Sequence, residues 1–134
     1  YEGDEREVVH IDFTDPYCEE MRRRCMRAAQ LAGEPFPEGG VYAAVQGPRL
    51  ETAAEINRLE RDGATMVGMT GMPEAVLARE LGMCYAAIAV VANYAAGRGS
   101  SKHGIDFDGV GVVLTPAMDR VHGILEQLVA IDGD

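Results

Sequence analysis

Three short clusters in this sequence combine residue types that can hold a small polar molecule and act on it. They are Gly47-Pro48-Arg49-Leu50-Glu51, Thr70-Gly71-Met72-Pro73-Glu74 and Asn93-Tyr94-Ala95. Glu51 offers a carboxylate that accepts N–H donors. Thr70 opens a turn into a helix, where a hydroxyl and backbone N–H groups can bind oxyanions. Asn93 offers a neutral amide that both donates and accepts. Each cluster taken singly has a plain structural explanation: a Gly-Pro turn, a helix-capping Thr, a turn Asn, a Glu complementing the next helix's dipole. Their joint placement carries more weight. Each follows an apolar run, where a strand hands over to a loop or helix, and ligands of open α/β sheets sit at such ends.

The runs that position them are VYAAVQ, TMVGM and the long MCYAAIAVVAN. Helical stretches alternate with them: EEMRRRCMRAAQLA up to Gly33, ETAAEINRLERDG, PEAVLARELG, and a last helix from Asp106 or Asp108 to about Val129, with Pro116 as a kink or late start. Thr14 or Asp15 can cap the first helix, and Pro16 suits its first turn. HIDF reads as a short strand, and Gly97 to Gly104 as a flexible loop. Near-continuous apolar strands alternating with helices predict an α/β fold, three-layer αβα, with a mainly parallel or mixed sheet covered on both faces. The consecutive Arg22, Arg23 and Arg24 point around a helix rather than converging, so a solvated basic face is expected in place of a phosphate cluster.

With 134 residues the chain has room for one domain. Its net charge of -10 argues against a general nucleic-acid or anionic-membrane surface while leaving room for a local phosphate pocket. No apolar run is long enough to span a bilayer. The opening at Tyr1, in a charged stretch without an initiator Met, reads like a cut inside a larger protein. Cys18, Cys25 and Cys84 form no CxxC spacing and are expected to be apolar fillers in a reducing cytoplasm, neither disulfide frame nor zinc site. His10 is expected to pack, and His103 and His122 to lie on the surface.

The stretches VYAAVQGPRLETAAE and GATMVGMTGMPEAVLARELGMCYAAIAVVANYAAG, with HIDFTDPYCEEMRRR upstream, resemble the trimeric purine nucleoside and methylthioadenosine phosphorylases. The ordered set GPRxE, GMTxxPE and a strand-terminal Asn carries the resemblance across nearly the whole chain. It implies that residues 1–134 are the C-terminal part of a single nucleoside phosphorylase domain. A Gly-rich phosphate loop and an Arg-His clamp would lie in the half that precedes it. The resemblance also implies a cytoplasmic homotrimer of the full-length protein, with a purine nucleoside and inorganic phosphate as partners and no metal or organic cofactor. Residues Tyr1 to Val9 fall near a loop that such trimers lend to a neighbouring site, but here they are short, acidic and lack His, so a ligand donated across subunits is not expected.

What the resemblance implies for single residues follows the chemistry of ribosyl transfer from purine to phosphate. Such a reaction needs the anion held beneath C1′ and the departing base stabilised. Thr70 is the implied phosphate ligand, and Met69 lies against the ribose. Asn93 is the implied catalytic residue, donating to O6 of a 6-oxopurine and accepting from N7–H as the base leaves. Tyr94, Ala95, Leu50 and Glu51 complete the base site. Adenine-selective relatives carry Asp where this chain has Asn93 and Ala95, and usually Ser where it has Glu51. A carboxylate at position 51 accepts the N1–H that hypoxanthine has and adenine lacks. Leu50 replaces a stacking Phe. Phe107 aligns with the 5′ pocket, where an apolar residue suits a methylthio group and a His would suit a hydroxyl. Together these lead to phosphorolysis of S-methyl-5′-thioinosine to hypoxanthine and 5-methylthioribose 1-phosphate. Methylthioadenosine and inosine/guanosine phosphorolysis are the alternatives, and a non-catalytic fragment dependent on its N-terminal half is the reading from a different class.

Overall fold

The computed structural model describes residues 9–132. The acidic opening residues 1–8, and with them the question of a loop shared between subunits, lie outside the described residues. Four helices and two strands follow in the order α1 (Glu19–Leu31), β1 (Tyr42–Ala44), α2 (Ala53–Arg61), β2 (Met66–Gly68), α3 (Glu74–Glu80) and α4 (Phe107–Asp132). A single 3-10 turn, Gly99–Ser101, precedes α4. The strands pair in parallel, Tyr42 opposite Met66 and Ala44 opposite Gly68, with α2 as the crossover between them. The fold is α/β with a parallel sheet, as the apolar runs require.

Helix ends follow local chemistry. Gly33, Gly63 and Gly82 each have positive φ just past α1, α2 and α3, so the chain turns out of each helix where a side chain would be strained. Around Gly33, the N–H of Glu34 returns to Ala29 O at 2.9 Å and that of Gly33 to Gln30 O at 3.0 Å, which satisfies the orphan carbonyls of the last turn. At the start of α2, Thr52 Oγ1 accepts from Glu55 N and Glu55 Oε2 accepts from Thr52 N at 2.7 Å, a reciprocal cap. Asp106 Oδ1 accepts from Gly109 N and so opens α4, which runs on through Pro116. Helices α1 and α4 bury Ala28, Ala29 and Ile124 between them, backed by Phe36 and Leu128, while Arg120 pairs with Glu34 at the edge.

The Glu55 carboxylate also receives both arms of the Arg49 guanidinium, at 2.9 and 2.8 Å. Arg49 first, and the Thr52 N–H second, pull its pKa from the ordinary 4.5 down to about 2. A depressed carboxylate contributes stability above its unfolded pKa, and that contribution is lost as pH falls from about 4.5 through about 2. We therefore expect the Glu55 side-chain carboxyl, followed by NMR, to titrate far below 4.5 and to rise in concentrated salt, since the pair is solvent-exposed. An ordinary midpoint would show that the cap and the ion pair do not persist in solution.

Several local expectations are corrected. Residues His10–Phe13 form no strand. Thr14 and Asp15 do not cap α1: the Thr14 hydroxyl and N–H both donate to Asp12 Oδ1, and the Asp12 and Asp15 carbonyls accept from Arg79 of α3. The cap position falls to Cys18. The strand expected over 83–93 is not formed: the run enters no ladder with the described residues. The start of the 97–104 segment is tied to α2, because Arg98 donates to Asn57 at 2.8 Å and pairs with Glu60. Cys18 and Cys84 form a disulfide with Cα atoms 5.3 Å apart, in place of acting as separate apolar fillers. The Cys18 N–H donates to Tyr85 O at 2.7 Å, and that backbone contact brings the two cysteines side by side across 66 residues. Cys25 stays outside the disulfide.

Candidate active site

The carboxyl end of β1 leads through Val45 and Gln46 into the Gly47 turn. Gly47 has φ of 63°, and a Cβ there would lie 2.5 Å from Met69 Sδ. Only glycine lets the two strand ends close on each other, so the GPRLE turn rests directly on Met69. Arg49 is fully engaged with Glu55 and with Leu50 O, and its role is to fix the turn to α2. Glu51 is left with a different character. The capping of α2 is done by Thr52 and Glu55, so Glu51 is not needed there. Half-buried, it makes no hydrogen bond or close ion pair among the described residues, though its charge is felt by Arg49, and it lines a cleft of about 200 Å³ with Gln46, Gly47, Arg49 and Arg58.

At the end of β2, Thr70 does not cap α3, whose N-cap is Pro73. Its backbone N–H donates to the Tyr42 phenol oxygen at 3.1 Å, and its Oγ1 lies 3.1 Å from the same oxygen. The N–H expected to reach an oxyanion is therefore already spent, and the hydroxyl remains. Beyond it, Gly71 turns with φ of 83° beneath Tyr17, whose hydroxyl would meet a Cβ there at 3.0 Å. Burial first, then the neighbouring Tyr85, Tyr42 and Glu74, push the Tyr17 hydroxyl pKa up, so it stays protonated at neutral pH. Tyr17 stacks on Tyr85 with ring centroids 6.0 Å apart, next to the disulfide.

Asn93 is exposed, and its Nδ2 donates to Tyr94 O at 2.7 Å, leaving the amide oxygen without a hydrogen bond among the described residues. The Tyr94 ring covers Gly99, where a Cβ would come within 2.6 Å of it, and the Ala95 carbonyl accepts from Arg98 N. Arg98 then bridges to α2, and Gly97 lies so close to Ala53 that a Cβ would be 2.9 Å from the Ala53 Cβ. The Asn93 loop is thus tied to the helix that follows Glu51. Leu50 and Met69 are each about one-third exposed. Phe107 stands apart: it is the first residue of α4, 71% exposed, on a helix whose packing partner is α1. Arg22 and Arg23 are paired with Glu19, and Arg24 with Glu20. Arg23 and Arg24 border a surface depression with Arg27, Glu19 and Glu20, so the basic face expected from the sequence is an ion-paired one.

The GPRxE, GMTxxPE and Asn93 clusters all lie within residues 1–130, which are matched by the family model described as Phosphorylase superfamily. The chain belongs to the phosphorylase superfamily. It is 56% identical over 130 residues to a protein of Pseudomonas syringae pv. tomato named "Probable S-methyl-5′-thioinosine phosphorylase", covering 97% of this chain and 52% of that protein. It is 50% identical over 107 residues to the 6-oxopurine nucleoside phosphorylase of Pyrococcus furiosus, covering 76% and 40%. Among solved structures it is similar to a double mutant of adenosine/methylthioadenosine phosphorylase from Schistosoma mansoni in complex with adenine. There the TM-score is 0.87 at 26% identity, over 96% of this chain and 51% of that one. The chain spans about half the length of these proteins. Among the described residues no helix is long and apolar enough to cross a membrane, and no group of three His, Cys, Asp or Glu gathers as a metal site.

Two participants escaped the sequence reading. Tyr42 counted only as part of an apolar strand, and Arg98 as part of a loose loop. The available signal for Tyr42 was Gly68, a glycine within a strand, which marks a close approach by something else.

Proposed function

We propose that this chain supplies the base-recognising half of a purine nucleoside phosphorylase, and that the whole protein converts S-methyl-5′-thioinosine and phosphate to hypoxanthine and 5-methylthioribose 1-phosphate. The observation that carries the reading is the convergence of the Gly47 turn and Met69, with Thr70 next to it, beside a Glu51 that does not cap its helix and lines the adjoining cleft. In this reading Thr70 contributes a hydroxyl to phosphate, Met69 lies against the ribose, and Leu50, Tyr94 and Ala95 border the base. Glu51 accepts N1–H of hypoxanthine. Asn93 gives up its bond to Tyr94 O, donates to O6, and accepts from N7–H as negative charge grows on the departing ring. Inorganic phosphate is the co-substrate, and no cofactor is called upon.

The same proposal includes a homotrimer of the full-length protein and a cytoplasmic location. Both rest on the family resemblance, since the Cys18–Cys84 disulfide removes the support that the cysteines were expected to give to a reducing compartment. The inosine/guanosine activity is the second reading, favoured by the exposure of Phe107 and by the relative named as a 6-oxopurine enzyme.

The 5′ group decides between them. If Phe107 lines that pocket in the whole protein, a buried methyl-sized group gains roughly 0.8 kcal/mol, and an unpaired 5′-hydroxyl costs about 1–3 kcal/mol. Methylthioinosine should then exceed inosine in kcat/KM by roughly one to a few powers of ten, and Phe107→His should narrow that gap. The measurement is phosphate-dependent hypoxanthine release from both nucleosides by the full-length protein and this variant. Equal wild-type values would favour the inosine/guanosine reading, and faster adenine release from methylthioadenosine would overturn the 6-oxopurine assignment itself.

A further inference from the structure

We infer that Tyr42 is a positioning residue for phosphate, acting through Thr70; this rests on the proposed phosphate role of Thr70 and deepens it. In the parallel pair, Tyr42 and Ala44 share a face, as do Met66 and Gly68 opposite them. The phenol crosses the bare backbone of Gly68 to reach the turn beyond β2. A Cβ on Gly68 would lie 2.2 Å from the phenol oxygen and 3.0 Å from the ring carbon that bears it. The ring can lie there only because position 68 has no side chain.

A count of protons shows what the contact achieves. The phenol oxygen accepts from Thr70 N and lies within hydrogen-bond distance of Thr70 Oγ1. The two hydroxyls hold two hydrogens, and the bond between them uses one. With a lone pair of its oxygen occupied by the Thr70 N–H, and as the more acidic hydroxyl, the phenol donates to Oγ1. The Thr70 hydrogen is then the one left over, directed away from Tyr42, on an oxygen polarised by the bond it accepts. An oxyanion is the partner that such a donor suits, because a hydrogen bond to a charged acceptor is stronger than one to a neutral group. Without the phenol, Thr70 Oγ1–H could rotate toward any nearby carbonyl.

The test uses the full-length protein and steady-state kinetics with phosphate and nucleoside varied separately. Tyr42→Phe keeps the ring and removes both hydrogen bonds; KM for phosphate should rise on the order of tenfold, with KM for nucleoside within about twofold. Gly68→Ala, which displaces the phenol, should give the same phosphate-selective change and stands in if Tyr42→Phe does not fold. In a Thr70→Ala background, Tyr42→Phe should have no further effect on phosphate, because the two act as one unit. If Thr70→Ala raises the phosphate KM but neither Tyr42→Phe nor Gly68→Ala does, the inference fails and the phosphate role of Thr70 stands. Additive effects of Tyr42→Phe and Thr70→Ala, or equal changes in both KM values, would reduce Tyr42 to packing. An unchanged phosphate KM in Thr70→Ala would overturn the phosphate reading and this inference together.

Discussion

Expressed alone, the 134-residue chain should release no measurable purine from any nucleoside, while the same residues within the full-length protein should. Thr70 is the one proposed phosphate ligand it carries, and a single hydroxyl cannot orient an anion beneath a sugar. The apolar ledger points the same way. Among the described residues the buried hydrophobic set is small: Ala28, Ala29, Ile56, Ala75, Ala78 and Ile124. Large side chains stand in solvent instead, with Val112 at 76%, Leu81 at 75% and Val91 at 71% exposed. Two three-residue strands and an unladdered run at 83–93 leave sheet edges that other chain would pair. The isolated chain should therefore bind a hydrophobic dye and lack a sharp thermal transition. Robust phosphorolysis by the purified chain, or a cooperative melt, would show that these residues suffice.

The second large effect concerns the leaving base. In the full-length protein, Asn93→Asp should lower kcat on 6-oxopurine nucleosides by about 10²-fold, the scale of losing one donor to developing charge. The activity on 6-aminopurine nucleosides relative to 6-oxopurine ones should rise. An ionised Asp cannot donate to O6 and opposes negative charge on the purine, whereas it accepts well from an exocyclic amine. The loss should fall on kcat as well as KM, because the bond strengthens as the base departs. Parallel losses on both nucleoside types would remove Asn93 from the leaving-group role.

What the sequence made legible were features settled within a few residues. The ends of α1, α2 and α3 were visible in Gly33, Gly63 and Gly82, whereas Glu19 and Glu20 pair with Arg22, Arg23 and Arg24 where a basic face was expected. The clusters around Glu51 and Thr70 could be placed beyond strands because apolar runs precede them, whereas the run before Asn93 enters no ladder with the described residues. Features that depend on distant partners were not legible. Cys18 meets Cys84 because Cys18 N bonds Tyr85 O, which no spacing encodes. Thr14 looked like a helix cap, but Asp12 and Arg79 claimed that segment. Thr70 looked as if it offered two donors, but Tyr42, 28 residues away, takes one. Phe107 was assigned to a 5′ pocket through the family resemblance alone, and it stands 71% exposed at the start of α4.

Arg98 has a consequence for how base preference can change. It clasps Asn57 and Glu60 on α2, while Gly97 seats against Ala53 at the same helix's start. On the proposed reading, Glu51 and Asn93 are then the two jaws of a caliper whose frame is α2, held at a set opening. Remodelling one jaw, as in Asn93→Asp, shifts the balance between bases only in part, because the other keeps its place and its chemistry. A full change of selectivity would take paired substitution, or release of the clasp, which would trade discrimination for breadth.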